Sequence, residues 1–263
     1  MPELLEQVLE RHRGQIALVI LSPDYVHLQP ETLRRLAQIA RHEGVLLCCD
    51  DVKQGYRSVR ASRFPGTVGF HADLYTFAKG LANGHRLSCL VGRSDVMAAA
   101  KEFTYTAYFD TIPIVAALAT LDYMASHDGY QRLVQCGATL AAGMRNIVQR
   151  RELPIMIYGD GPMLQIVGAT DALDQALYTN CAVAGLLLYE GDNQAVSLAT
   201  GDVLDELLER FEKALTATSQ QFGRGDPASI SRQRRFQAAF RMIDGANDIV
   251  SIEEALRWIK EEQ

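Results

Sequence analysis

The chain has 263 residues, 48% of them hydrophobic and 22% charged, with a formal net charge of −6 at neutral pH. That balance supports a sizeable buried core in one large or two smaller domains and argues against nonspecific nucleic-acid binding. No run of about 18 apolar residues exists to span a bilayer, and Met1-Pro2-Glu3 opens an acidic, helix-like segment where a leader would be basic and then apolar, so a cytoplasmic location is expected.

Five cysteines, an odd number with no CxxC spacing, do not read as a disulfide framework or a zinc site. The histidines (His12, His27, His42, His71, His85, His127) include no pair at i, i+4, so no metal ligand set is expected.

In chain order, Ile16 to Leu21 is the first strand candidate, ended by Ser22-Pro23-Asp24. A helix follows from about Glu31 to His42, with Leu33, Leu36, Ala37 and Ile39 on one side and Gly44 as its stop. Val45 to Cys49 then reads as a buried strand that delivers Asp50 at its C-terminal end. In open parallel sheets that is the edge where ligands bind. Cys48 and Cys49 alternate to opposite faces of that strand and read as buried thiols. Leu74 to Phe77 and Leu87 to Val91 are two further strands, joined by a tight loop that carries Lys79, Gly80 and Gly84.

From Ile112 to about Arg150 the pattern turns helical, with a break suggested at Gly129. A second small α/β unit follows Pro154: strands at Ile155 to Tyr158 and Leu164 to Val167, a helix from Asp171 to Leu188, a strand at Ala195 to Leu198 and a helix from Asp202 to Leu215. Thr200 and Asp202 are the expected caps of that last helix. Gln220 to Ala228 reads as a linker. Beyond it lie helical patterns at Ile230 to Ile243 and Ser251 to Lys260. Arg232, Arg234, Arg235 and Arg241 form a basic patch there that is expected to be a solvated helix face.

Two features invite a site reading. Asp50 and Asp51 stand at the end of one strand, and Lys79 stands in a glycine-flanked loop after another. A carboxylate that holds a pyridine nitrogen and a lysine that condenses with an aldehyde act on opposite ends of one ring, so the pair can serve one cofactor. On residues alone, a solvated loop lysine is the commoner reading of Lys79, and Asp50 can be a helix cap.

The segment Val45-Leu-Leu-Cys-Cys-Asp50-Asp51-Val52-Lys53-Gln54-Gly55-Tyr56-Arg57 resembles class III aminotransferases and glutamate-1-semialdehyde aminomutases. There an apolar strand is followed by Asp-Glu-Val, two residues, Gly, an aromatic and Arg. Ala72-Asp73-Leu74-Tyr75-Thr76-Phe77-Ala78-Lys79-Gly80 is similar to that family's Schiff-base segment, and the 29-residue separation of Asp50 and Lys79 also suits it.

The resemblance implies pyridoxal 5'-phosphate as cofactor, Lys79 as its Schiff-base lysine and proton carrier, Asp50 on the pyridinium nitrogen, and Val52 against the ring face. Thr104 to Thr111, ahead of an alanine-rich helix, looks like the family's threonine loop. It implies Thr106 as a contact to the cofactor phosphate of a neighbouring subunit, although Phe109 stands where the family usually has glycine. Tyr189 to Leu198 resembles the family's last strand.

The implied fold is α/β: a partial fold type I pyridoxal-phosphate transferase, with the C-terminal part of the large-domain parallel sheet in residues 1–110. A linking helix is expected over 111–150, an α/β small domain over 151–219, and a linker with a helical extension over 220–263. No glycine-rich loop opens a helix in the way phosphate binding wants. The family's N-terminal half is therefore expected on a separate chain, with a dimer of such units acting on a small amino donor and acceptor. Two other readings remain: a catalytically silent scaffold, and a lysine-dependent carbonyl enzyme without cofactor. The tail has an EF-hand-like look, but Ile243 falls where the first loop aspartate belongs, so calcium binding is not expected.

Overall fold

The computed structural model describes residues 2–227 and Ile230, apart from Tyr25, His27, residues 58–68, Thr104 and Ala107. The patterns expected beyond Ile230, with their arginine patch and EF-hand-like stretch, lie outside the described residues. The chain divides into two compact units, Met1–Val134 and Gln135–Gln263.

The first unit opens with helix α1 (Pro2–Arg11), strand β1 (Leu18–Leu21), helix α2 (Pro30–His42), and strands β2 (Leu46–Asp50) and β3 (Leu74–Phe77). A 3₁₀ turn over Lys79–Ala82 leads to β4 (Cys89–Gly92), and a short helix α3 (Ser94–Met97) precedes helix α4 (Thr111–Ser126). The sheet order is β1-β2-β3-β4. The first three strands are parallel, as expected of apolar runs joined by a crossover helix. β4 departs from an all-parallel sheet and runs antiparallel to β3, because the chain returns from Phe77 without a crossover helix.

α2 begins with Pro30 in its first turn, where the missing N–H costs nothing. It ends before Gly44, whose φ of +70° is the left-handed stop that glycine accepts readily. Its buried Leu33, Ala37 and Ala40 pack on Leu47, Cys49 and Phe70 to cover one face of the sheet. Side chains alternate across a strand, so Ile20, Cys48, Asp50, Thr76 and Leu90, aligned by the strand register, occupy the other face. Ile20 on the edge strand is 64% exposed.

The helix α5 (Gly129–Arg151) follows α4 after a break at His127 and Asp128, one residue before the glycine expected to mark it. In the second unit β5 (Ile155–Tyr158), β6 (Met163–Gly168) and β7 (Gln194–Ala195) form an antiparallel sheet. Helices α6 (Asp171–Val183) and α7 (Leu204–Ser219) follow β6 and β7 respectively in the same unit. Met144, Ile147, Ile155, Ile166, Leu177, Phe211 and Leu215 share one buried core.

Three expectations need correction here. α6 stops at Val183, short of Leu188, because Gly185 takes a φ of +80°. The strand expected over Ala195 to Leu198 is paired only at Gln194 and Ala195, because a reciprocal Ser197–Thr200 capping box turns the chain into a 3₁₀ helix over Leu198–Val203. Thr200 and Asp202 therefore do not cap α7, which starts after Val203 without a side-chain cap. No helix among the described residues is long and apolar enough to cross a membrane.

Candidate active site

β2 and β3 end side by side, and the register pairs Asp50 with Thr76. The Thr76 hydroxyl donates to Asp50 Oδ1 at 3.0 Å, and the Val52 backbone N–H donates to the same oxygen at 3.2 Å. Both of these bonds end on Oδ1, so Oδ2 faces no described donor. The carboxylate is half-buried at the C-terminal edge of the sheet. The thiol of Cys48, two residues earlier on the same face, is pushed up by burial and by the Asp50 charge.

Asp51 is separated from its neighbour. Its backbone N–H continues the pairing to the Thr76 carbonyl, and it is only 1% exposed. The two adjacent acids thus divide into one presented at the sheet edge and one enclosed.

Lys79 follows β3 by two residues and begins the 3₁₀ turn. It is exposed and has a φ of +49°, a left-handed conformation that costs a non-glycine residue free energy and tends to survive where the surroundings enforce it. The surroundings are specific. Leu81 and Ala82 are buried with Phe77 and Ala117, and Leu121 packs beside them, so α4 braces the turn from below. The turn closes at Asn83, which also adopts a positive φ, and its N–H bonds back to the Gly80 carbonyl.

The turn after β2 packs against this lysine turn. Tyr56 meets the Phe77 ring with centroids 4.9 Å apart, and a Cβ placed on Gly55 would lie 2.7 Å from Phe77 Cδ1. Glycine is needed there for close approach. Arg57 donates from Nε to the Lys53 carbonyl at 2.8 Å. Its guanidinium lies 3.8 Å from where a Gly80 Cβ would stand, flush with the backbone next to Lys79. Burial holds its pKa below the usual arginine value.

The structure therefore brings Asp50, Val52 and the turn carrying Lys79 to one edge of the sheet. Val52 is half-buried in the turn, and its observed contact is the backbone bond to Asp50. Thr106 lies apart in chain position, exposed in the loop before α4. Phe109 in the same loop is exposed, and Asp110 caps α4 by accepting from the Ile112 N–H at 3.3 Å.

Three further residues build the site, each quoted in the sequence only as a motif position without a role. Thr76 orients Asp50. Asp73 accepts from the Leu47 N–H at 2.9 Å and from Arg93 at 2.6 Å, which fastens β3 between its neighbours. Arg57 was only a motif position. Asp73 and Thr76 have partners 26 residues away in sequence, a separation that no periodicity reports.

Comparison with known proteins gives concordant results. The profile of the family described as aminotransferase class-III matches residues 1–215. The 2'-deamino-2'-hydroxyneamine transaminase of Streptomyces kanamyceticus is 31% identical over 213 residues, 79% of this chain and 54% of that protein. The glutamate-1-semialdehyde 2,1-aminomutase of Thermus thermophilus is 28% identical, across 63% of this chain and 41% of its own. The structure of the FumI protein from Sphingopyxis sp. MTA144 superposes with a TM-score of 0.76 at 28% identity, covering 88% of this chain and 57% of that one. The chain thus spans about half the length of the relatives it matches.

Proposed function

The chain belongs to the class III aminotransferase family, and from that premise we propose that it supplies the lysine and carboxylate of a pyridoxal 5'-phosphate site for amino-group transfer or an aminomutase-like shift. The observation that carries this reading is the Asp50 carboxylate, fixed through Oδ1 with Oδ2 open, on the strand next to the one that presents Lys79. The donor set fits the cofactor: an acid for the ring nitrogen and a primary amine for the aldehyde, on adjacent strand ends. When bound, pyridoxal phosphate supplies an electron-withdrawing ring that stabilises negative charge at the substrate's amino carbon.

The roles of this chain's own residues follow. Asp50 Oδ2 accepts the ring N–H, and its charge keeps that proton in place. Lys79 Nζ would hold the cofactor through its aldehyde and, as a free amine, would carry the proton between carbons. Val52 supplies apolar contact to the ring beside the carboxylate. Thr106 contacts the phosphate of a neighbouring subunit's site.

The remainder of the fold, in this reading, comes from a separate polypeptide carrying the portion of the relatives that this chain does not span, and the working assembly is a dimer of such pairs. What supports it is unspent apolar surface. Among the described residues the edge strand β1 pairs only with β2, and its Ile20 is largely exposed. Along α4, Ile112, Val115 and Leu118 recur every third residue, each more than half exposed. Such edges and stripes are normally covered.

The test is amino transfer by the protein purified with whatever polypeptide accompanies it, compared with its Lys79→Ala variant. Loss of turnover with unchanged assembly is expected, and unaltered turnover contradicts the proposal. Stoichiometric cofactor binding and full turnover by this chain alone contradicts the shared-site part.

A further inference from the structure

A half-buried guanidinium stands beside the lysine turn with most of its donors unspent. Arg57 uses Nε on the Lys53 carbonyl, while neither Nη nitrogen bonds to any described residue, and no carboxylate among the described residues pairs with it. A cation withdrawn from water without an anion is unfavourable, and burial weakens its hold on the proton. The planar fork of donors is the geometry that takes carboxylate or phosphate through two parallel bonds.

We propose that Arg57 forms an anion subsite beside Lys79, which takes the phosphate or carboxylate of the carbonyl compound that the lysine engages. This rests on the reading of Lys79 as the covalent anchor. The glycine after the lysine makes the approach possible: with no Cβ at Gly80, the guanidinium lies against the main chain one residue from Lys79. Tyr56, packed on Phe77, sets the turn that aims Arg57.

The test uses the full chain, purified with any polypeptide that accompanies it, and aldehydes trapped on lysine by borohydride. Amine and aldehyde lose water, hydride reduces the C=N bond, and peptide mapping quantifies the label on Lys79. Pyridoxal 5'-phosphate is compared with pyridoxal, and glyoxylate with acetaldehyde, so that each pair differs by one anionic group. Arg57→Gln is expected to lower labelling by the anionic member of one pair roughly tenfold or more, the scale of a lost charge-assisted bidentate contact. Labelling by the neutral members stays unchanged.

A loss confined to the first pair identifies phosphate as the ligand, and one confined to the second identifies carboxylate. If Arg57→Gln does not melt cooperatively, Arg57→Lys, which keeps the charge and loses the fork, is read the same way with a smaller loss. Unchanged preference in both pairs overturns the subsite while leaving Lys79 in place. Absence of label on Lys79 from every aldehyde overturns the lysine reading and the subsite with it.

Discussion

Gly55→Ala is the sharpest test of how the two turns meet. The added Cβ would stand 2.5 Å from the Asp51 carbonyl oxygen and 2.7 Å from Phe77 Cδ1, against a comfortable separation of about 3.5–4.0 Å for carbon pairs. Neither obstacle moves freely. The Asp51 carbonyl accepts the Gly55 N–H itself at 2.9 Å, and the Phe77 ring is held by Tyr56 and the buried cluster around Leu81.

Overpacking of this kind costs about 1–3 kcal/mol, and the stiffer unfolded chain returns about 0.4–1 kcal/mol. A net loss of about 1–2 kcal/mol lowers the melting temperature of a chain this size by roughly 2–8 °C. The assay is thermal unfolding followed by circular dichroism, with Gly161→Ala as control, because a Cβ there meets nothing within 4 Å. Because Phe77 lies two residues before Lys79, cofactor labelling of that lysine should fall as well. Melting and labelling of Gly55→Ala that match the control would refute the packing argument.

In the second unit, Gly137→Ala should be more damaging, since its Cβ would lie 1.9 Å from the Gly161 carbonyl oxygen, which is backbone; soluble yield and urea unfolding check it, and wild-type stability contradicts it. Asp50→Ala removes the acceptor for the ring nitrogen and should weaken cofactor retention about 10- to 100-fold, the scale of a hydrogen bond to a charged group, as measured by dialysis against buffer; unchanged retention counts against Asp50. Burial pushes the Cys181 thiol up to about 12, above the ordinary thiol value, so its contribution is intact at lower pH and is lost as pH rises toward about 12. Thiol reagents at pH 8 should accordingly reach the half-buried Cys89 and Cys136 before the buried Cys181, and equal rates would contradict this.

Much of the framework was legible because local signals agreed. The apolar runs ending at Leu21, Asp50 and Phe77 are short and uninterrupted, and each is a strand within a residue or two of its expected limits. Asp50 and Lys79 were visible as motif residues, and the structure sets their strands side by side. The cross-strand bonds that make Asp50 a presented acid were not visible. Thr76 and Asp73 are ordinary strand-edge residues until the register is known. Arg57 was hidden for the same reason, since its neighbour Gly80 lies on a different turn.

In the second unit, leucines at 186–188 extended the apparent periodicity of α6 past the left-handed Gly185. Ser197 and Thr200 close a capping box on each other, where Thr200 and Asp202 were expected to cap α7.

Lys79 is the amine that pyridoxal phosphate is proposed to engage. Five lysines occur in the chain, Lys53, Lys79, Lys101, Lys213 and Lys260, so borohydride reduction of the protein incubated with the cofactor, followed by peptide mapping, separates them. The pyridoxyl label is expected on Lys79 ahead of the other four, with that preference lost in Asp50→Ala. Label spread evenly over the lysines, or concentrated on another one, would contradict it.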